Sequence, residues 1–377
     1  MFYFVILLLI ALIGGANYYL AHRVWSWVRC LVPKLSIAVP LAFFAVMAVF
    51  MVLSFIKPFS GVLQRCISFV GNVWMGAVIY FLIFFLLSDL AVLIVGLFQA
   101  LSESAMARLR LVAGISATVL ALTVSAYGIF NARRIRTVEY AIELSAAPTS
   151  HLCVALISDV HLGALGSESK LPSIVEEINA LKPDIVCIAG DIFDSNFSSI
   201  VDPQAAIDTL KQINATYGVY ACLGNHDAGA TFASMEDFLV RAGIRLLKDE
   251  CVVIDGRLVL AGRLDPRPIG NAGALKRGDV ASVLKGVDPS LPVVVMDHNP
   301  ANADEYHGEV DLVLSGHTHK GQVFPGSLIT GAMYTVDYGY YRAEDGMQTV
   351  VSSGVGTWGP PLRVGSICEI VKLDLTF

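Results

Sequence analysis

The chain has 377 residues, 55% of them hydrophobic, a mean hydropathy of +0.65 and a formal net charge of −6 at pH 7. Residues 1–136 hold 10 Lys/Arg against 2 Asp/Glu, whereas residues 137–377 hold 16 against 30. The acidic second part is excluded as a nucleic-acid binder working through phosphate contacts, and the apolar first part is excluded as an ordinary soluble domain.

Four stretches almost free of charge open the chain, at 1–20, 36–56, about 70–97 and 110–130. A hydrocarbon core ~30 Å thick is crossed by ~20 apolar residues in a helix, so these stretches predict four transmembrane helices and a membrane region over 1–136. A cleaved signal peptide fits residues 1–20 poorly, because no basic segment precedes the apolar run and three further spans follow. Asp89 lies inside the third stretch, where a carboxyl group is a functional-site candidate by default. With no basic partner evident in the spans, it is read as lying near a helix end, against a neighbouring helix or water. The first and third loops carry five Lys/Arg together, and the second loop plus the segment after the fourth span carry five. That tie leaves the side of the C-terminal domain open. The expectation is a multi-pass protein of the cell membrane, with the bilayer as partner and its basic loops facing anionic headgroups.

Residues 137–377 form a domain of ordinary size. Apolar runs at 153–158, 184–189, 218–223, 292–296 and 311–315 predict strands, and 348–375 has further strand character. Helical patterns fall at 174–181, between Pro172 and Pro183, and at about 204–214. Strands alternating with helices predict an α/β domain with mostly parallel pairing in its first half. The five cysteines of this part show no C-x-x-C or zinc-knuckle spacing and read as small buried hydrophobes.

The chemistry is concentrated just after the strand-like runs. There stand Asp159-Val160-His161, Gly190-Asp191, Gly224-Asn225-His226-Asp227, Asp297-His298 and Gly316-His317-Thr318-His319, and five of the eight histidines lie in these motifs. Singly, each is an ordinary turn sequence. Jointly they place carboxylates, imidazoles and an amide oxygen at the carboxyl ends of strands, where α/β sheets bind ligands, so a single sheet would bring all five together. A donor set without thiolate suits divalent ions such as Mn²⁺, Fe²⁺ or Zn²⁺. The donors are too many for one zinc and sufficient for two metals ~3.5–4 Å apart, the clamp used in phosphoryl transfer to water.

The ordered series D-x-H, G-D, G-N-H-D, H and G-H-x-H resembles the calcineurin-like metallophosphoesterase superfamily over roughly residues 150–375. Ser158 to Gly163, Gly316 to Gln322 and Gly354-Val355-Gly356-Thr357 resemble its membrane-associated YkuE-like branch. The resemblance implies a four-layer α-β-β-α sandwich following the four-helix region, with two divalent ions, Mn²⁺ first and Fe²⁺ or Zn²⁺ as alternatives. It implies that Asp159, His161 and His319 hold one metal, that Asp191 bridges both, and that Asn225, His298 and His317 hold the other. His226 resembles the family's catalytic histidine, with Asp227 expected to orient its ring, and a metal-bridging hydroxide would be the nucleophile. Asp297 stands where a small or polar residue is usual. Lys320 stands where glycine is common, and is read as a solvated loop lysine in preference to a phosphate contact.

The function expected is a membrane-anchored phosphoesterase acting on a phosphate ester or pyrophosphate, with a lipid-linked substrate suggested by the anchor. Some relatives hydrolyse UDP-diacylglucosamine, which makes that class a candidate. The competing expectation is a transporter or sensor whose helices carry the function and whose domain binds metal in a regulatory role. His151 and His307 are read as ordinary surface histidines, and His22 as interfacial.

Overall fold

The computed structural model describes residues 2–57, 59, 61–98, 101–144, 150–270 and 275–377; of the first ten side chains only Leu8 is described. The chain divides into two compact units, Met1–Phe130 with Gly359–Leu362, and Asn131–Trp358 with Arg363–Phe377.

The first unit is helical: α1 (Phe2–Val28), α2 (Ala38–Ile56), α3 (Gly61–Leu97) and α4 (Glu103–Asn131). Three helices, Ala38–Ile56, Val62–Leu97 and Glu103–Asn131, are long and apolar enough to cross a membrane among the described residues. This corrects the expected four. The stretch 1–20 does form helix, but most of its first ten side chains lie outside the described residues, and α1 runs on past it through His22 and Arg23. Helices α3 and α4 also begin earlier than hydropathy suggested, at Gly61 and Glu103. Gln64, Arg65, Arg108 and Arg110 interrupt the apolar run but are good helix formers, so the helix outlasts its hydrophobic stretch.

Aromatic packing joins these helices. Trp74 lies 5.5 Å from the Phe44 ring and 5.6 Å from Phe81, and its Nε1 donates to Asn17 at 3.0 Å. Asp89 is not without a basic partner, as the sequence reading had it. It pairs with Arg23 of α1 and accepts from the Tyr19 hydroxyl at 2.7 Å. Arg23 lies beyond the charge-free stretch where the span was expected to stop, so only helix packing reveals the pair. Pro360 and Leu362 lie against Gly76 of α3.

The second unit opens with β1 (Ile135–Glu143), two residues ahead of the boundary expected at 137. There follow β2 (His151–Ile157), α5 (Leu171–Ala180), β3 (Ile185–Ala189), α6 (Pro203–Leu210), β4 (Val219–Cys222), α7 (Phe232–Arg241) and β5 (Ile244–Leu246). The later elements are β6 (Glu250–Ile254), β7 (Leu258–Gly262), α8 (Val280–Val283), β8 (Val293–Met296), β9 (Leu312–Ser315), α9 (Gly326–Met333), β10 (Gly339–Arg342), β11 (Gln348–Val351) and β12 (Cys368–Thr376). They form two six-stranded sheets, in the orders β1-β12-β2-β3-β4-β5 and β10-β11-β9-β8-β7-β6. Pairing is parallel through β2, β3, β4 and β5 as expected, and β12 inserts antiparallel to β2. In the second sheet β7, β8, β9 and β11 run parallel, with antiparallel β6 and β10 at its edges.

Strand β3 is buried at every residue, the pattern of a strand covered on both faces. One core cluster joins the sheets, with Leu156 and Ile185 of the first beside Leu260, Met296 and Leu314 of the second. Ile178 of α5, Ile207 of α6 and Phe238 of α7 form another cluster with Val186 and Ile188 of the first sheet. Val280, Val283 and Tyr306 form a third with Val259, Val295 and Val313 of the second.

Candidate metal centre

Every predicted motif sits where a parallel strand ends. Asp159 follows β2, Asp191 follows β3, Asn225, His226 and Asp227 follow β4, His298 follows β8 and His317 follows β9. The expected single sheet is corrected to two, because antiparallel β6 starts a new sheet after β5. The loops then meet across the two sheet ends: His317 N donates to Asp159 Oδ2 at 3.1 Å, and His298 Nδ1 lies 2.8 Å from Ala189 O.

Three groups of candidate ligand atoms result among the described residues. Asp159, His161 and His319 form the first, Asp191, His298 and His317 the second, and His161, Asp194 and His226 a third, with the ligand atoms of each group within 4.8 Å of one another. In the first, His161 Nε2 lies 3.2 Å from His319 Nε2, and His319 Nε2 lies 3.3 Å from Asp159 Oδ1. In the second, His298 Nε2 lies 3.1 Å from Asp191 Oδ2 and 3.3 Å from His317 Nδ1. These two groups meet at Asp191 Oδ2, 3.9 Å from His161 Nε2. Asn225 Oδ1 is buried without a hydrogen-bond partner.

The donor set fits divalent ions. Imidazole nitrogens facing each other at 3.2–3.3 Å cannot both be protonated toward one another, and lone pairs so aimed are satisfied by a shared cation. Burial, reinforced by His298, pushes His317 down to about 4. Burial, reinforced by the Arg363 guanidinium, pushes His319 far below the usual imidazole range. Both rings are neutral at pH 7, the form in which an imidazole can bind a metal ion. Burial opposes charge on Asp191, but the neighbouring His298 outweighs it and holds the carboxylate well below its usual range. The backbone is committed too. Asp159, His161, Asp191, His317 and His319 all have φ between 50° and 71°. Left-handed non-glycine residues gathered in this way mark a site that the surrounding fold over-determines.

Around His226 the structure departs from expectation. Asp227 does not orient the ring. Its carboxylate accepts from the backbone N–H groups of Phe193 (2.8 Å), Gly224 (2.9 Å) and Ile192 (3.2 Å), pinning the β4 turn to the loop after β3. Both of its oxygens are turned to backbone donors, and neither is hydrogen-bonded to the His226 ring. The partner of His226 Nδ1 is Ser195 Oγ at 2.6 Å, with Asp194 Oδ1 at 4.0 Å. Trp358 packs edge-on to the same ring, with centroids 6.1 Å apart. Burial lowers the basicity of His226.

A family model for the calcineurin-like phosphoesterase domain matches residues 153–321, which contain every motif just described. An uncharacterized metallophosphoesterase of Aquifex aeolicus is 34% identical over 258 residues, covering 68% of this chain and 97% of that protein. The chain belongs to the calcineurin-like phosphoesterases. It is thus a metal-dependent hydrolase of phosphate esters. A transmembrane protein with metallophosphoesterase domain from Danio rerio is 32% identical over 277 residues, covering 68% of this chain and 62% of its own length. The uncharacterized metallophosphoesterase YkuE of Bacillus subtilis is 30% identical over 256 residues, covering 64% and 85%.

Several groups that support this phosphoesterase site were not expected from the sequence. Arg363 is fully buried and donates from Nη1 to His319 O (3.0 Å), and from Nη2 to Gly356 O (2.6 Å) and His319 Nδ1 (3.1 Å). It lies 44 residues from His319, and no local pattern points to it. Asp194 and Ser195 could have been suspected, since they continue the loop that Gly190-Asp191 opens. Asp297, the residue unusual for the family pattern, accepts from Arg277 (2.6 Å), Tyr306 (2.5 Å) and Asn302 (3.1 Å), which fixes the chain just before His298. Lys320 is half-buried, with its ammonium 4.0 Å above the Tyr338 ring, a cation–π contact that replaces the solvated state expected. His151 and His307 are exposed and lie beside Asp374 and Asp345, as surface histidines should. The seven cysteines are unpaired thiols.

Proposed function

We propose that this chain is a membrane-anchored phosphoesterase that works with two divalent ions, Mn²⁺ first among them, on a phosphate ester or pyrophosphate presented at a bilayer. The observation that carries this reading is the pair of ligand groups joined at Asp191, each with two imidazole nitrogens turned toward each other. In this reading Asp159, His161 and His319 hold one ion, Asn225, His298 and His317 hold the other, and Asp191 serves both. When bound, the ions would neutralise charge on the phosphoryl oxygens and lower the pKa of an attacking water. The residues of the chain supply placement and a proton. With Nδ1 engaged by Ser195, the ring of His226 presents Nε2 to the leaving oxygen, the position of a general acid.

The catalytic domain in this reading spans 137–377 and follows a membrane region over 1–136. The three core clusters support a four-layer α-β-β-α arrangement, with one cluster between the sheets and one outside each. The apolar helices support an anchor, and an anchor favours substrates that reside in lipid, such as a nucleotide-linked lipid of the UDP-diacylglucosamine kind. The competing sensor or transporter reading has weaker support, because the ligand set is complete and the polar pair Asp89–Arg23 is internally satisfied.

The test uses the detergent-purified full chain, stripped by chelator and reloaded with Mn²⁺, beside an Asp191→Asn control. The substrates are an aryl phosphodiester, an aryl phosphomonoester and UDP-diacylglucosamine. Turnover that returns with metal and is lost in the variant is expected, and the preferred substrate assigns the bond class. Absence of turnover with Mn²⁺, Fe²⁺ and Zn²⁺ alike refutes the catalytic reading.

A further inference from the structure

Residues 321–336, which follow the last ligand motif directly, contain no charged side chain. They build α9, an eight-residue helix with no buried residue, on which Leu328, Ile329 and Met333 are 65%, 60% and 70% exposed. Phe324, just before it, is 44% exposed. In a domain that otherwise carries many charges, such a contiguous apolar surface marks an interaction site.

This helix is mounted rigidly on the metal loop. Gly321 and Gly326 approach so closely that a Cβ on Gly321 would lie 2.1 Å from the Gly326 carbonyl carbon, and one on Gly326 would lie 2.3 Å from Gly321 O. Only glycine permits that contact, which holds the start of α9 against the turn bearing His319. At the other end Tyr334 packs edge-on to His317, with centroids 6.3 Å apart, and Thr330 Oγ1 donates to Asp337 at 2.7 Å. Whatever α9 docks on is therefore held beside the ligand histidines.

We infer that α9 docks into the surface of the bilayer in which the chain's own helices sit, and so holds the mouth of the metal centre at the lipid surface. Chain connectivity argues for lipid as the occupant. Only residues 132–134 separate the end of α4 from the start of β1, a link of ~10–14 Å at full extension. The chain enters the helical unit again at Gly359–Leu362. In the anchored reading, so short a link limits how far the domain can move from the bilayer. At the bilayer surface an uncharged helix carrying leucine, isoleucine, methionine and a neighbouring phenylalanine gains by entering the headgroup–acyl boundary. The inference rests on the membrane-anchored reading proposed above.

The experiment reconstitutes the full chain in phosphatidylcholine vesicles containing a lipid with a photoactivatable group near the top of its acyl chain. Adducts are mapped by mass spectrometry. The comparison is with the peptide bearing Val240, which is 73% exposed but lies in charged surroundings on α7. The expected result is several-fold more label on 323–336 than on the Val240 peptide, together with label on α2, α3 and α4. Label on α2, α3 and α4 but none above the Val240 level on α9 overturns the docking and leaves the anchor standing. No label on any of the helices overturns the anchored reading itself. If α9 amides are protected from hydrogen exchange without acquiring lipid label, a second copy of the chain covers the helix and the inference fails. A Leu328→Glu/Ile329→Glu variant should lose the α9 label while hydrolysing a soluble aryl phosphodiester at the parental rate.

Discussion

Replacing Ser195 by alanine isolates the contact that orients the proposed acid. Ser195 already holds φ at +61°, and alanine meets the same backbone cost there, so the change removes a hydroxyl and little else. The hydroxyl lies 2.6 Å from His226 Nδ1. When Ser195 donates to that nitrogen, the proton of the neutral ring stands on Nε2, where a leaving oxygen can take it. A neutral hydrogen bond is worth ~0.5–1.5 kcal/mol net, which converts to a ~2–13-fold loss of kcat if it is fully expressed in the transition state. The loss should depend on the leaving group. A p-nitrophenolate departs without help, whereas an alkoxide needs the proton. The assay compares kcat for an aryl and an alkyl phosphodiester in the Mn²⁺-loaded parent, the Ser195→Ala variant and a His226→Ala variant, with bound metal counted in each. Serine loss should affect mainly the alkyl ester, leave KM and metal content unchanged, and fall well short of the ~10²–10⁴-fold expected for loss of the histidine. Equal losses on both esters, or a fall in bound metal, would refute the assignment of Ser195 and His226 to proton delivery.

Other outcomes follow from the same geometry. Gly224→Ala should lower turnover by at least ~10²-fold and reduce metal stoichiometry, since the new Cβ would lie 2.2 Å from Asp191 Oδ1 and displace the carboxylate proposed to serve both ions. Metal content of the purified variant checks this. Asp297→Ala should destabilise the region around β8 by ~1.5–3 kcal/mol, because the Arg277 guanidinium, 11% exposed, loses its buried partner and keeps only the half-exposed Glu305 as a counter-charge. Hydrogen exchange across 293–306 reads the loss, and an additional Arg277→Met change should restore part of it. Asp89→Asn should cost the helical unit about 1 kcal/mol through the Arg23 and Tyr19 contacts. Hydrolysis of a soluble ester should be unaffected, and a drop in that rate would tie the helices to catalysis.

The positions of the candidate metal ligands were legible in the sequence for a definite reason. Each is anchored to the end of a buried parallel strand, and such strands announce themselves as short apolar runs. The run at 184–189 became β3, and Asp191 falls where that run predicts. The same logic failed for groups that act from a distance. Arg363 reaches His319 across 44 residues, and Arg277 reaches Asp297 across 20, so no window of sequence contains either pair. Asp227 shows the opposite error. It stands beside His226 in sequence, yet its carboxylate faces the backbone of another loop. Neighbours in a turn point in different directions, and adjacency is a poor guide to contact.

By itself the sequence determined the division into an apolar, weakly basic first part and an acidic second part, the strand ends that carry ligands, and the donor chemistry that suits divalent ions. Periodicity and composition are local properties, so they survive in one dimension. Tertiary structure alone decided that two sheets share the centre, that Asp191 links two ligand groups, that Ser195 holds His226, and that an uncharged helix stands exposed beside His317 and His319. Those facts depend on which loops meet at the sheet ends, and folding settles that by burying the strands' apolar faces together.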